Sequence, residues 1–325
     1  MENETWEYDG WEDAPKDVTT VTLGDRVHGI RNLAFDDCSQ LVSIHNLHES
    51  VVTSIGSYAF RGCTSLRSIT LPSSIDTISE GAFCGCTSLT TVVQLDTVPI
   101  TEIGTYAFRH CTSLVAIQFS PTLQSIRSNA FSNCTSLTSL KLPASIVHLD
   151  NRCFSNCTSL TRIDIPYDVE KIHPKILHQC SSLESIRFYT ISKHKRFQQH
   201  HFDFLATMIQ TNPSIADKPC SSSSNTDCLP LHFVLMHGFG CEWKTITMIA
   251  KAAPRAFAIR DPIHHFYPFL LTACDPPIQY NDKDRLGQYK KWFVRYDLEQ
   301  LNSVFMLLRE SAWVMNFLVQ NYRTN

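Results

Sequence analysis

The chain has 325 residues, a formal net charge of −3, 43% apolar residues and 18% charged ones. This is the composition of a folded chain, long enough for one large domain or two ordinary ones. It offers no bulk positive field to a phosphate backbone or an anionic bilayer, so neither a nucleic-acid partner nor membrane insertion is expected.

The first 26 residues, opening MENETWEYDGWEDAPKD, read as an acidic segment and cap. They lack the basic start and apolar core of a secretory leader. No stretch of the chain approaches the ~18 consecutive apolar residues of a membrane helix. A cytoplasmic or nuclear location is therefore expected, with an extracellular adhesin as the alternative if the N-terminus is incomplete.

Residues 27–190 repeat one sentence seven times: AFDDCSQLVSI, AFRGCTSLRSI, AFCGCTSLTTV, AFRHCTSLVAI, AFSNCTSLTSL, CFSNCTSLTRI and ILHQCSSLESI. Seven of the thirteen cysteines hold one repeat position: Cys38, Cys63, Cys86, Cys111, Cys134, Cys157 and Cys180. Their spacings are 25, 23, 25, 23, 23 and 23. An odd set of equivalent cysteines reads as small buried groups rather than a disulfide framework. The two longer steps carry their extra residues in HNLHESVV and VQLDTVPI, the same place in the unit, as a loop on a stacked coil would. Within one unit, Ile69 and Leu71 have the period-two spacing of a short strand, which Pro72 ends for want of an amide hydrogen. Ala82 permits close packing beside Phe83, which fills a corner. Thr87 and Ser88 follow Cys86, with hydroxyls suited to the backbone groups of a bend. One unit cannot bury its own apolar side, whereas a stack of them can.

This pattern, aFxgCtsLxxIxLPxxIxxIgxx, resembles the leucine-rich repeats of the bacterial-surface-antigen-A (BspA) type over roughly half the chain. The resemblance implies a short leucine-rich repeat β solenoid, a role in adhesion or protein recognition, and no catalytic residues. On the T-S-L-x-x-I strand the variable positions should form an exposed ladder: Val42 and Ser43, Arg67 and Ser68, Thr90 and Thr91, Val115 and Ala116, Thr138 and Ser139, Thr161 and Arg162, Glu184 and Ser185. An ordinary solvated β surface accounts for most of it. As a recognition strip, its candidate partner-binding residues are Arg67, Arg162 and Glu184, because charges discriminate partners more sharply than serines do. Asn133 and Asn156 stand in N-C-T sequons, and their place before the cysteine fits a tight turn.

After Phe188 the pattern changes. Residues 191–229 read as a helix, with Phe202, Leu205, Met208 and Ile209 on one face, and a serine-rich linker between about Pro213 and Asp227. Residues 230–325 read as a separate all-α domain. Within it, MIAKAAPRAFAIRDPIHHFYPFLLTAC is similar to degenerate ankyrin repeats, with Tyr267 and Phe269 departing from the usual signature. That likeness again implies partner binding. Cys220, Cys228, His232, His237 and Cys241 lie close together and are zinc-ligand types. Their spacing contains no C-x-x-C pair, so they stay candidates and no cofactor or metal site is assigned. His200–His201 and His264–His265 are neighbours that point apart on a helix. No G-x-S-x-G, H-E-x-x-H or Walker glycine loop is present, and no catalytic residue is assigned. The expected function is a non-enzymatic protein-interaction scaffold whose protein partner is unknown. The alternative is a metal-binding, ligand-binding or enzymatic C-terminal domain.

Overall fold

The computed structural model describes residues 5–189, apart from 94 and 167, followed by 199–212, 215, 220–221 and 227–228. The chain divides into two units, Met1–Lys195 and Arg196–Asn325. The strands of the first are β1 (Thr5–Tyr8), β2 (Thr20–Leu23), β3 (Gly29–Ile30), β4 (Ser43–His45), β5 (Ser54–Ile55), β6 (Ser68–Thr70), β7 (Thr77–Ile78), β8 (Thr91–Val93), β9 (Glu102–Ile103), β10 (Ser125–Ile126), β11 (Ser139–Lys141), β12 (His148–Leu149), β13 (Arg162–Pro166), β14 (Lys171–Ile172) and β15 (Ser185–Tyr189). All their pairings are parallel, each strand against its equivalent one unit away. Chain-neighbouring strands such as β6 and β7 fall in different sheets, so each unit is one turn of a coil with a strand on either side. This is the β solenoid of about seven turns that the repeat predicts.

The two sides differ in length. One carries the longer strands in three sheets, β1-β2-β4, β6-β8 and β11-β13-β15; the other carries two-residue strands in the order β14-β12-β10-β9-β7, with β3-β5 as a separate pair. Strands β1 and β2 lie within the first 26 residues, so the acidic N-terminal segment is itself laid onto the stack.

The core explains the repeat letter by letter. Phe35, Phe60, Phe83, Phe108, Phe131 and Phe154 are fully buried and stack one turn above the next, centroids 4.9–5.5 Å apart and planes within 15°. The turn-to-turn spacing of hydrogen-bonded strands, about 4.8 Å, sets that separation. At the N-terminal end Tyr8 and Trp6 close the column, their rings 5.1 and 6.3 Å from Phe35. At the other end Leu177 holds the phenylalanine position. The backbone is locked at the same level: each of the six phenylalanine N–H groups donates to the carbonyl of the residue just before the equivalent position in the next turn, at 2.7–2.9 Å.

The cysteines do more than fill space. All seven are buried, and the thiols of Cys63, Cys86, Cys111, Cys134, Cys157 and Cys180 each donate to the phenylalanine carbonyl of the preceding turn at 3.1–3.3 Å. A methyl group would leave that buried carbonyl one donor short. The residue before each cysteine has a positive φ: Asp37, Gly62, Gly85, His110, Asn133, Asn156 and Gln179. Asparagine and glycine favour that left-handed geometry, which accounts for the N-C-T triplets. A second positive φ falls just before the alanine–phenylalanine pair, at Leu33, Tyr58, Gly81, Tyr106, Asn129 and Arg152.

Of the expectations for the repeat one is corrected, that every turn carries a strand on the long side. In the two longer loops Leu47 and Leu95 take the buried place of Leu71, and Val52 and Ile100 that of Ile75, so the core positions keep their register and only Val98 is an added buried side chain. Proline ends the strand as expected: β6 stops at Thr70, before Pro72, and Pro166 is the last residue of β13, opposite Tyr189, where no further amide is needed. The fourth turn has no long-side strand. Its Phe119 takes the place of Leu71 and Leu142 and packs edge-on against Phe131 (5.7 Å, 77°), and its proline, Pro121, falls one residue later than Pro72 or Pro143 in their turns. The larger ring and the shifted proline draw the backbone out of register, which splits the ladder between β8 and β11.

Close packing between turns makes Gly104 hard to replace, because an added Cβ would stand 2.8 Å from the Glu80 nitrogen and the Ile78 carbonyl oxygen. Gly104→Ala is expected to lower stability by about 1–3 kcal/mol through overpacking. Urea denaturation of the variant with an unchanged midpoint would contradict this contact.

In the second unit the described residues form helix α1 (Gln199–Thr211) and an antiparallel pair, β16 (Cys220–Ser221) and β17 (Asp227–Cys228). Leu205, Met208 and Ile209 of the expected helical face are buried, together with Phe204 and His201. Within the expected serine-rich linker, Cys220–Ser221 pairs with Asp227–Cys228. The expected all-α domain at 230–325 and its ankyrin-like segment lie outside the described residues. Among the described residues no helix is long and apolar enough to cross a membrane.

Candidate recognition surface

The outward positions of the long-side strands form rows, one residue per turn. In the first row Thr90, Thr138 and Thr161 are exposed, yet their hydroxyls donate to the carbonyls of Arg67, Val115 and Thr138 at 3.0–3.4 Å. These hydroxyls therefore serve the turn-to-turn ladder. Val42 and Val115 stand half-exposed in the same row.

The three charged candidates fare differently. Arg67 is exposed, with no ion pair among the described residues. Arg162 turns along its own strand to grip Asp164 with both ends of its guanidinium, Nε to Oδ1 at 2.8 Å and a terminal nitrogen to Oδ2. That hydrogen bond raises the arginine pKa, and the residue is occupied at the surface. Glu184 is exposed on the next turn. Arg162 and Glu184 thus lie on adjacent floors, while Arg67 stands four turns from Arg162, about 19 Å at the strand spacing. The three do not converge.

The structure adds residues the sequence reading passed over. In the β11-β13-β15 sheet Lys141 is opposite Asp164, and Asp164 is opposite Arg187; one step earlier Ser139, Arg162 and Ser185 are aligned in the same way. Asp164 is buried beneath this face, whereas Lys141 and Arg162 are exposed and Arg187 is half-buried. Tyr189 lies at the edge of the cluster. Its hydroxyl donates to the Leu142 carbonyl, and the Lys141 ammonium stands 5.9 Å from its ring centroid. Burial, reinforced by the Asp164 charge, pushes the Tyr189 phenol up to about 12, so it stays a donor at neutral pH. The row was legible in outline, because the position after the repeat isoleucine reads Thr70, Val93, Gln118, Lys141, Asp164 and Arg187 from turn two onward. Scanning only the two positions before that isoleucine missed it.

The other charges bind turns to each other. Asp36 pairs with Arg61 at 2.6 Å, and Arg127 pairs with Glu102 at 2.5 Å and Asp150 at 3.6 Å. The Glu102 carboxyl is held below its usual range by Arg127. No group of ligands able to hold a metal occurs among the described residues. Cys220 and Cys228 stand opposite each other in the hairpin register, and His232, His237 and Cys241 lie outside the described residues.

Since Asp164 is mostly buried and both its oxygens are taken by Arg162, Arg162→Ala is expected to cost about 1–2 kcal/mol, a buried-pair penalty reduced by the exposure of the arginine. Arg67→Ala should stay within about 0.5 kcal/mol of the parent. Urea melts of the two variants side by side measure the difference; equal midpoints would remove the structural role given to the pair.

A family described as BspA type leucine rich repeat region matches residues 14–98 and 93–208, with six copies. Among solved structures the chain is similar to a leucine-rich repeat protein from Bacteroides ovatus ATCC 8483 (22% identity over 53% of this chain and 56% of that one, TM-score 0.37). It is also similar to the T. pallidum leucine-rich repeat protein (26%, 52% and 72%, TM-score 0.36) and to the pneumococcal vaccine antigen PcpA (15%, 57% and 60%, TM-score 0.39). The chain spans little more than half the length of the Bacteroides ovatus protein. No curated protein matches it.

Proposed function

This chain belongs to the BspA type leucine rich repeat family, and we propose that it is a non-enzymatic scaffold that binds a protein partner on the long-strand side of its solenoid. The fold is one commonly used for protein–protein interaction. One observation carries the reading to a place on that side. On β11, β13 and β15 the charged residues Lys141, Asp164 and Arg187 stand in cross-strand register, with Lys141 exposed and Arg187 half-buried, while the threonine hydroxyls of the first row are spent within the ladder. A face fixed by neighbouring turns binds with little ordering cost, and its charges select among partners.

Crosslinking mass spectrometry on the full chain in native extract tests this. A reproducible partner crosslinked to Lys141 and its surroundings, and lost from a charge-reversed ladder, is expected. Crosslinks confined to residues after 195 would move the function to the second unit and overturn the reading.

A further inference from the structure

We propose that Lys141 and Arg187 receive two carboxylates of an extended acidic segment of the partner, laid across β11, β13 and β15 with its acidic residues three positions apart. The inference rests on the scaffold reading and names the chemistry of the partner.

Start from the charges. Lys141, Asp164 and Arg187 occupy one cross-strand row. Between the two cations Asp164 would cancel one of them, were it free. It is not free: Arg162 takes both its carboxylate oxygens from the same strand. Neither Lys141 nor Arg187 lies in an ion pair with a described residue. The Arg187 Nε is buried without a hydrogen-bond partner among the described residues, so no described carboxylate already holds this guanidinium. Across the row the balance is two free cations around one neutralised pair. Glu184, the nearest exposed carboxylate on β15's turn, precedes that strand and lies outside the row.

Next, the geometry. Lys141 and Arg187 sit on strands one apart, so their backbones are separated by about 9.6 Å, twice the strand spacing. A peptide in the polyproline II conformation advances about 3.1 Å per residue with three residues per turn, so residues three apart span about 9.3 Å and point to the same side. A Glu-Xaa-Xaa-Glu segment running along the solenoid axis therefore matches both cations at once. Lys141 is already steadied by the Tyr189 ring, and Tyr189 by its bond to Leu142, which lowers the cost of ordering the cationic side. Arg162 acts as a positioning residue, since its role is to hold Asp164 away from the two cations.

The test is fluorescence anisotropy on the full chain with three labelled peptides: Glu-Xaa-Xaa-Glu, the same with glutamines, and one with the glutamates adjacent. The spaced acidic peptide should bind best, and binding should weaken as salt is raised from about 0.05 to 0.5 M. Lys141→Glu with Arg187→Glu should weaken it at least about tenfold. Asp164→Asn removes the carboxylate that neutralises Arg162 and so adds a third cation to the face, which should tighten binding about threefold. A merely structural role for Asp164 would predict the opposite sign. Thermal melts of each variant confirm that it is folded.

No preference for the acidic peptide, or binding unchanged by the double reversal, overturns the inference. So does a phosphate-bearing oligonucleotide that displaces the peptide and binds more tightly. These results bear on the acidic ligand alone. If the crosslinked native partner still maps to the ladder through a segment without acidic spacing, the scaffold reading stands and only this inference fails.

Discussion

Replacing Phe83 with alanine is expected to destabilise the solenoid by about 3–5 kcal/mol, the cost of losing a large buried side chain and leaving a cavity. Phe83 is fully buried between Phe60 and Phe108, at 5.4 and 5.3 Å, so truncation removes two stacking contacts at once. It also leaves the Cys111 thiol and the Ala107 carbonyl bonded to a backbone whose side chain no longer holds its position. A stack of turns derives its stability from nearest-neighbour interfaces, and one weakened floor separates those on either side. Phe83→Leu should recover part of the loss. Unfolding followed by circular dichroism, in urea, measures both variants; an unchanged midpoint for Phe83→Ala would sink the role given to the column.

Alkaline pH should also destabilise the solenoid, through its buried thiols. Burial pushes the Cys38 thiol from an ordinary value of 9.0 to about 11 and Cys134 to about 12. It also drives Cys63, Cys86 and Cys111 well upward, as does a hydrogen bond to Cys180, followed by burial, for Cys157. Unfolded, these thiols lose their protons above about 9; folded, they keep them. The unfolded state then binds fewer protons, so stability is fully present below pH 9 and falls as pH rises through the window to about 11–12. One unit above the unfolded value each thiol contributes about 1.4 kcal/mol. The losses from the several buried thiols add, so stability should fall steeply as pH rises above 9. Tyr58 and Tyr189, whose phenols are pushed from 10.0 to about 12, add to the loss only above pH 10. Urea midpoints between pH 7 and 10 check this. A curve that stays flat above pH 9 would mean the thiols are not held protonated by the fold. Replacing one ladder cysteine with alanine should reduce the steepness by one thiol's share, apart from its cost at neutral pH.

Much of this was written plainly in the chain. The seven-fold recurrence of cysteine and leucine, with phenylalanine in six of the units, fixes a turn of 23–25 residues, and stacking lets such short units bury their apolar sides. The burial of Phe83, Ala82, Ile69 and Leu71 follows from that repeat alone. Less legible was why the small buried residue should be cysteine. Composition presents it as a compact apolar group, and only the neighbouring turn brings the phenylalanine carbonyl within 3.1–3.3 Å of the thiol.

The candidate surface was legible only in part. Sequence places Arg67, Arg162 and Glu184 on one exposed strand ladder, because a fixed repeat position keeps a fixed orientation. It could not show that Arg162 is committed to Asp164, two residues along the same strand, since a period-two neighbour becomes a partner only once both side chains are laid on one face. Nor could it show Lys141 and Arg187 flanking that pair. They are 46 residues apart in the chain, and the parallel register of three strands is what sets them on one row. The sequence by itself determined the number of turns, their cores and the absence of any familiar catalytic pattern, because those depend on which residue types recur and how often. The tertiary structure alone decided which charges are spent and which remain free, because an ion pair depends on distances between turns that no spacing along the chain records.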